Sequence, residues 1–261
     1  MISIIIAVYN GSEFVEKTIH SAIEQNIDKE IIIVDDCSTD DSYEIIDSIS
    51  KKNDFIHVFR NDTNLGFCKS VNKAAKNASG EYILILGQDD LLEPDHCRKM
   101  IEKFDDNVSI VFCDYDLIDE DDQVFDSKPH CLNRDVSIKD FYKDNAIPSV
   151  GLVMRRDKFV SAGGYPENDS YPQYGEYHTW IRLALNGKIL FCDSTKAKYR
   201  RHKNNMTNSF SSKDVLKKVN RYYNTCKMQI IKSPQINLKE KVYVLAHMIY
   251  RALRVCCLGR F

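Results

Sequence analysis

The chain has 261 residues, which is long for one domain and short for two, and its net charge of −2 leaves no basic excess to support broad nucleic-acid binding. Its nine cysteines are odd in number, scattered and without CxxC spacing, so they read as reduced, packed thiols of a cytosolic protein rather than a disulfide framework or a zinc site. No basic n-region or cleavage site precedes "SIIIAVYN", and no apolar run reaches the roughly 18 residues that a membrane span requires.

"SIIIAV" (3–8) predicts a buried strand. A helix follows, with Asn10 or Ser12 as N-cap, Glu13 and Glu16 in its first turn, and Val15, Ile19, Ala22 and Ile23 on one face. "EIIIV" (30–34) is a second strand, leading through "DDCSTDD" into a helix with Ile45, Ile46 and Ile49 inward. "FIHVF" (55–59) is a third, and "NLGF" opens a helix bearing Phe67, Val71, Ala74, Ala75 and Ala78 that closes near Gly80. A fourth strand, "ILIL" (83–86), runs into Gly87, Gln88, Asp89 and Asp90. This alternation predicts a parallel α/β sheet with right-handed crossovers. Beyond it, "VSIVFCDY" (108–115), "VGLVM" (150–154) and "KILFC" (188–192) read as strands, and 213–261 shows helical spacing only. With no internal repeat, low-complexity tract or linker, the expected organisation is one domain over 1–210 and a helical extension over 211–261.

Two strands therefore end on acidic pairs, Asp35-Asp36 and Asp89-Asp90. Ligands of parallel sheets sit outside the carboxyl ends of the strands. Helix capping by Ser38, Thr39 and Asp40 accounts well for "STDD"; Asp35 and Asp36 would then merely lie near the positive helix end, which explains them less well because they precede the cap. A solvated turn accounts equally well for Asp89-Asp90 taken alone. Two such pairs on one edge are better explained by a site for a cation or for hydrogen-bond donors.

The segments "IIIAVYNGSEFVEKTIHSAIEQ", "EIIIVDDCSTDDS", "NLGF", "GQDD", "GGYPE" and "YRRH", in this order and spacing, resemble the family-two glycosyltransferases over about residues 1–210. The resemblance implies a GT-A-type fold, a Rossmann-like and mostly parallel sheet flanked by helices. It also implies a nucleotide-diphospho-sugar donor, usually a divalent metal (Mn²⁺ or Mg²⁺), and transfer with inversion. Carried over position by position, it puts Ala7, Val8 and Tyr9 against the base and ribose, and Asp36 on the base N–H, which a carboxylate can only accept. It places Asp89 near the ribose and Asp90 on the metal that bridges the diphosphate, hard oxygen ligands suiting such cations. His202 matches a histidine that approaches the metal or diphosphate, although a lone histidine is also a common surface residue. Arg200 and Arg201 beside it could fork onto phosphate oxygens.

Two positions depart from the family's pattern. Where many members carry a nucleotide-touching arginine after "NxG", this chain has Val71, which leaves Lys69 as substitute. Where the family reads Glu-Asp before an aromatic helix, with Asp as catalytic base, this chain reads Gly175-Glu176. Glu176 is the expected base, His178 the fallback, and an ordinary first-turn acid the plain alternative. "GGYPE" (163–167) would shape the sugar pocket.

A receiver domain would carry its acidic pair on the first strand of a chain half this long. A sugar nucleotidyltransferase would need a Gly-rich basic loop after strand one, and a dinucleotide oxidoreductase a GxGxxG, whereas "AVYNGSEF" has one glycine and no basic residue. A non-catalytic sugar-nucleotide-binding relative stays open because of Gly175. The expected acceptor is a glycan or lipid-linked hydroxyl in surface polysaccharide synthesis. Helix 241–254 sets Val242, Leu245, Ala246, Ile249 and Leu253 on one stripe and His247, Arg251 and Arg254 on another. That pattern serves either packing on the catalytic domain or weak peripheral contact with the inner face of a membrane.

Overall fold

Strand β1 (Ile2–Val8) is buried at every position but Ala7, because it lies mid-sheet between parallel neighbours β2 (Lys29–Asp35) and β4 (Tyr82–Leu86). The computed structural model describes residues 1–129, 131–167, 175–205 and 213–258. Strand β3 (Ile56–Arg60) extends the parallel set beyond β2. On the other side of β4, β8 (Val153–Arg155) runs antiparallel to both β4 and β6 (Val108–Ile118), which returns β6 to the common direction. Strand β9 (Lys188–Arg200) is parallel to β6, β5 (Leu91–Leu92) is antiparallel to β9, and β7 (Val124–Asp126) pairs with β6. The sheet order is β3-β2-β1-β4-β8-β6-β9-β5. One edge of the sheet therefore carries the carboxyl ends of β1, β2, β3, β4, β6 and β9.

The period-two alternation of these strands feeds two cores. Ile4, Ile6, Val8, Ile31, Ile33, Leu84 and Leu86 pack under α1 (Val15–Ile23), α2 (Ser42–Ser50) and α4 (His96–Ile101). Ile5, Ile32, Val34, Ile83, Ile85, Ile110 and Phe112 face α3 (Phe67–Asn77), α5 (Arg156–Ser161), α6 (Gly175–Leu185) and the 3₁₀ turn Ile138–Tyr142. Tyr222, Cys226 and Ile230 of α7 (Lys213–Lys232) and Val244 of α8 (Leu238–Leu258) join this second core.

The parallel half follows the sequence pattern, and the differences lie at its margins. Strand 150–154 is confined to Val153–Arg155, and the strand begun by "KILFC" continues to Arg200, because β6 also extends and offers it a partner as far as Ile118. Asn10 and Ser12 do not cap α1. Asn10 takes a left-handed φ of 50° and its Oδ1 accepts the Thr39 N–H at 2.9 Å, while the Ser12 N–H goes to Asp40 Oδ2 at 3.0 Å. Both residues thus link the loop after β1 to the loop after β2. Val242, Leu245, Ala246 and Ile249 of α8 are exposed rather than packed on the domain; the side chains of Leu253 and Arg254 lie outside the described residues, as does the 210/211 boundary. No described helix is long and apolar enough to cross a membrane. The seven cysteines with described side chains form no disulfide.

Candidate active site

At the ends of β1 and β2 the polar groups mostly hold each other. Val8 belongs to the core, so it and half-buried Ala7 offer a ligand little beyond backbone, whereas Tyr9 is 45% exposed. Asp36 is buried and already accepts three donors: Asn61 Nδ2 and Leu65 N–H on Oδ1, and Gly66 N–H on Oδ2, each at 2.8 Å. These bonds pin the loop that opens α3. The expected role of Asp36 toward a base N–H thus meets a carboxylate turned inward to its own chain. Asp35 binds the Ser38 N–H at 3.2 Å and Arg60 Nε at 3.1 Å through Oδ2, and its Oδ1 is buried without a donor among the described residues.

The end of β4 behaves differently. Gln88 closes on the backbone of Tyr9, accepting its N–H at 2.8 Å and donating to its carbonyl at 3.3 Å, which locks β4 to β1. Asp89 turns outward to His202, whose Nε2 is 2.8 Å from Asp89 Oδ2, and Asn205 Nδ2 donates to the same oxygen at 3.1 Å. The His202 ring rests on Phe14, with centroids 4.9 Å apart. Asp90 turns inward. It is buried, its Oδ1 accepts the Arg200 N–H at 3.0 Å, and burial, with the Asp89 charge second, pushes its carboxyl well above the ordinary range. The side chain expected near the ribose is therefore the one facing His202, and the side chain expected on a metal is buried, with its Oδ1 on the Arg200 N–H. Asn205 was not singled out in the sequence, although its place three residues after His202 in "HKNN" is the signal that could have found it.

Arg200 is also not where phosphate pairing would need it. Its side chain has 0% exposure, donates from Nε to the Asp89 carbonyl at 2.8 Å and from a terminal nitrogen to the Asp119 carbonyl at 2.6 Å, and lies 2.5 Å from Asp122. Its guanidinium also stacks on Phe14 at 4.6 Å. Arg200 thus positions the Asp89 loop, and Arg201 is the exposed member of the pair.

On the other core's side, "GGYPE" is fastened to α3 and α6. Gly163 and Gly164 take φ of +88° and +63°, and a Cβ on Gly164 would strike Asn72 Oδ1. Asn72 Oδ1 accepts the Tyr165 N–H at 2.9 Å, its Nδ2 donates to the Tyr165 carbonyl at 2.8 Å, and Thr179 Oγ1 donates to the Gly164 carbonyl at 2.9 Å. Val71 is core, and Lys69 is half-buried on the first turn of α3. Gly175 lies against that turn, because a Cβ there would sit 2.9 Å from Cys68 Sγ. The N-terminus of α3 is at the carboxyl edge, so this contact brings Glu176 to it. Burial, opposed by a hydrogen bond from Ser149, pushes the Glu176 carboxyl up to about 7. Its charge, after burial, helps raise the Cys68 thiol to about 12. His178 is pushed down to about 4 by burial and then by Arg182. A carboxylate near 7 matches the optimum for a general base at neutral pH.

The description "Glycosyl transferase family 2" matches residues 3–161. The chain belongs to that family. It is 27% identical over 212 residues to TuaG of Bacillus subtilis, a glycosyltransferase assigned to teichuronic acid biosynthesis, covering 80% of this chain and 82% of that one. In fold it matches the GT-A glycosyltransferase TarS of S. aureus in its complex with UDP-GlcNAc, with a TM-score of 0.75 at 19% identity over 96% of this chain and 72% of that one. It also matches the mannosyltransferase PcManGT of Pyrobaculum calidifontis, in complex with GDP-Man and Mn²⁺, with a TM-score of 0.67 at 14% identity over 98% and 72% of the two chains. As a family-two glycosyltransferase, the chain has a mixed α/β GT-A fold and acts in the transfer of sugars.

Proposed function

We propose that this glycosyltransferase moves a sugar from a UDP-sugar to a hydroxyl of a glycan or lipid-linked acceptor in surface polysaccharide assembly, with inversion at the anomeric carbon. The observation that carries the reading is Glu176, a carboxylate held near 7 beside the carboxyl edge of a GT-A sheet. Glu176 takes the acceptor hydroxyl proton while that oxygen bonds to the anomeric carbon and the bond to the diphosphate breaks on the opposite face. Charge that builds on the sugar is of the oxocarbenium kind. Tyr9 offers an exposed ring to the base, Lys69 and Arg201 supply cationic side chains toward the donor, and "GGYPE" borders the sugar.

Asp89 and His202 have the chemistry to hold a divalent cation, an oxygen and a nitrogen ligand 2.8 Å apart. No group of three ligating side chains occurs among the described residues. Mn²⁺ and Mg²⁺ keep waters and use few protein carboxylates together with substrate phosphates. Bound there, the cation would offset the charge of the departing diphosphate as a Lewis acid. We assign this role to Asp89 rather than Asp90, because Asp89 faces His202 while Asp90 Oδ1 accepts the Arg200 N–H. PcManGT was solved with Mn²⁺ and TarS with UDP-GlcNAc, which supports both the metal and the uridine donor.

The test is release of free nucleotide from a panel of UDP- and GDP-sugars, with the product's anomeric configuration read by NMR. Inverted product from a UDP-sugar, lost in Glu176→Gln, supports the proposal. Retained configuration, or turnover only with GDP-sugars, overturns it.

A further inference from the structure

Helix α8 meets the domain through Val244 and Met248 and through a row of polar groups. Glu240 pairs with Lys139 at 2.9 Å, Arg251 with Asp144 at 3.1 Å, and His247 Nδ1 is 3.4 Å from the buried Lys227 Nζ. Four further apolar side chains are turned to solvent. Leu238, Val242, Leu245 and Ile249 are 76, 57, 47 and 53% exposed. Their spacing of four, three and four residues makes one continuous stripe, flanked by Tyr243 and Tyr250, which are also exposed. Among the described side chains of this helix, only Val244 is fully withdrawn into the core. Isolated exposed apolar residues are ordinary, but a continuous stripe of this length marks a contact surface.

Charge decides what meets it. Residues 213–261 hold 11 of the 36 Lys and Arg but two of the 38 Asp and Glu, so that segment carries +9 and residues 1–212 carry −11. Lys218, Arg221 and Lys232 of α7 and Lys239 of α8 are exposed. A second copy joined through α8 by a two-fold axis would bring together two helices of +3 each (four Lys and Arg less one Glu), inside segments of +9, which opposes association. An acidic lipid surface satisfies both features, accepting the apolar stripe and attracting the basic residues around it. Tyrosines beside the stripe suit the headgroup level, since each joins an apolar ring to a polar tip.

We propose that α8 docks the protein on an anionic lipid surface through Leu238, Val242, Leu245 and Ile249, with the basic residues of α7 and α8 against the headgroups. This contact is independent of the assignment of the catalytic groups. The full chain is sedimented with vesicles of phosphatidylcholine alone and of equal parts phosphatidylcholine and phosphatidylglycerol. Binding is expected to the mixed vesicles only and to weaken as salt rises. Leu245→Glu with Ile249→Glu, both on the exposed face, should cut partitioning about tenfold or more, with circular dichroism and soluble-donor activity unchanged. Lys232→Glu with Lys239→Glu should weaken binding while leaving the stripe intact. The proposal is overturned if the wild type stays in the supernatant, if the Leu245/Ile249 variant binds as well as wild type, or if a short RNA duplex displaces the protein from the vesicles and binds it regardless of the stripe. A dimer in analytical ultracentrifugation that the same variant dissolves would also overturn it, in favour of a second copy.

Discussion

The ends of β2 and β4 look alike in the sequence, each a buried apolar run closing on two aspartates, yet the fold uses them differently. At β2 both acids are drawn inside, Asp35 to Ser38 and Arg60, Asp36 to Asn61, Leu65 and Gly66. At β4 the pair divides, Asp89 toward His202 and Asn205 and Asp90 toward the Arg200 backbone. What lies next to each strand end explains the contrast. The β2 end adjoins loops rich in unpaired N–H groups, those that open α2 and α3, which need acceptors. The β4 end adjoins β9, whose last residue supplies one N–H and whose following turn supplies a histidine. An acidic pair at a strand end is thus a supply of acceptors, and its neighbours decide whether any faces a ligand.

The largest effect should come from splitting the β4 pair. Asp89→Asn should lower transfer by about 10³-fold, the scale of several kcal/mol supplied by a cation at a departing diphosphate. It should also weaken Mn²⁺-dependent UDP binding in calorimetry. Asp90→Asn, which keeps the shape of the buried side chain, should stay within about tenfold of wild type. The reverse ranking would restore Asp90 as the ligand. EDTA should abolish turnover of the wild type; full activity in EDTA would remove the metal from both.

Glu176→Gln should depress turnover by about 10²–10⁴-fold with UDP affinity nearly unchanged, and His178→Ala should be mild. Because Glu176 must be ionised to accept a proton, kcat/KM should rise with pH and level off above about 7. Stability should run the other way. A carboxyl raised from 4.5 to about 7 in the folded state weakens the fold as pH climbs from the lower value, and the penalty is complete above the higher one. Glu176→Gln should therefore raise stability at pH 8 by at most about 3 kcal/mol and do nothing at pH 4. A flat pH profile of both activity and Tm would show that Glu176 is an ordinary first-turn acid.

The parallel half of the sheet was legible because its strands are short apolar runs with helices of clear period between them, from Ile2 to Leu86. The family was legible in motifs that sit on those same loops. What could not be read was direction within a pair: consecutive residues point to opposite sides, and whether Asp89 or Asp90 faces out depends on β9, more than a hundred residues later. Arg200 shows the same limit. In "YRRH" it is indistinguishable from Arg201, but β9 ends on Arg200 and buries it. Strand β9 itself was seen only to Cys192, because the polar run "DSTKAKYR" gains its strand character from pairing with β6 rather than from its own pattern. The stripe on α8 was legible, but which way it faced was not.

At β2 the corresponding test is smaller. Asp36→Asn replaces one acceptor by a donor that faces the Leu65 and Gly66 N–H groups, and should cost about 1–3 kcal/mol, read as a lower Tm. Discrimination between UDP and GDP should not change. If the Tm holds and UDP binding falls tenfold or more, Asp36 reads the base after all, and the two strand ends are more alike than their hydrogen bonds suggest.

The smallest effect concerns Gly175, where the family's usual acid is missing. In the first turn of α6 an alanine would gain up to about 1 kcal/mol of helix propensity over glycine. Its Cβ, however, would lie 2.9 Å from Cys68 Sγ, 3.3 Å from Pro166 Cδ and 3.5 Å from Tyr165 Cβ. Overpacking of that kind typically costs about 1–3 kcal/mol, so Gly175→Ala should be destabilising by about 1 kcal/mol once the two are combined. Removing the sulfur should reverse the sign of the local term. In a double-mutant cycle with Cys68→Ala, Gly175→Ala should become neutral or stabilising, with a coupling of about 0.5 kcal/mol or more. The same background should tolerate Gly175→Glu better than wild type does, which would tie the lost acid to a crowded α3–α6 contact. Additive effects in the cycle would separate the glycine from Cys68 and leave its presence to the chemistry of the site instead.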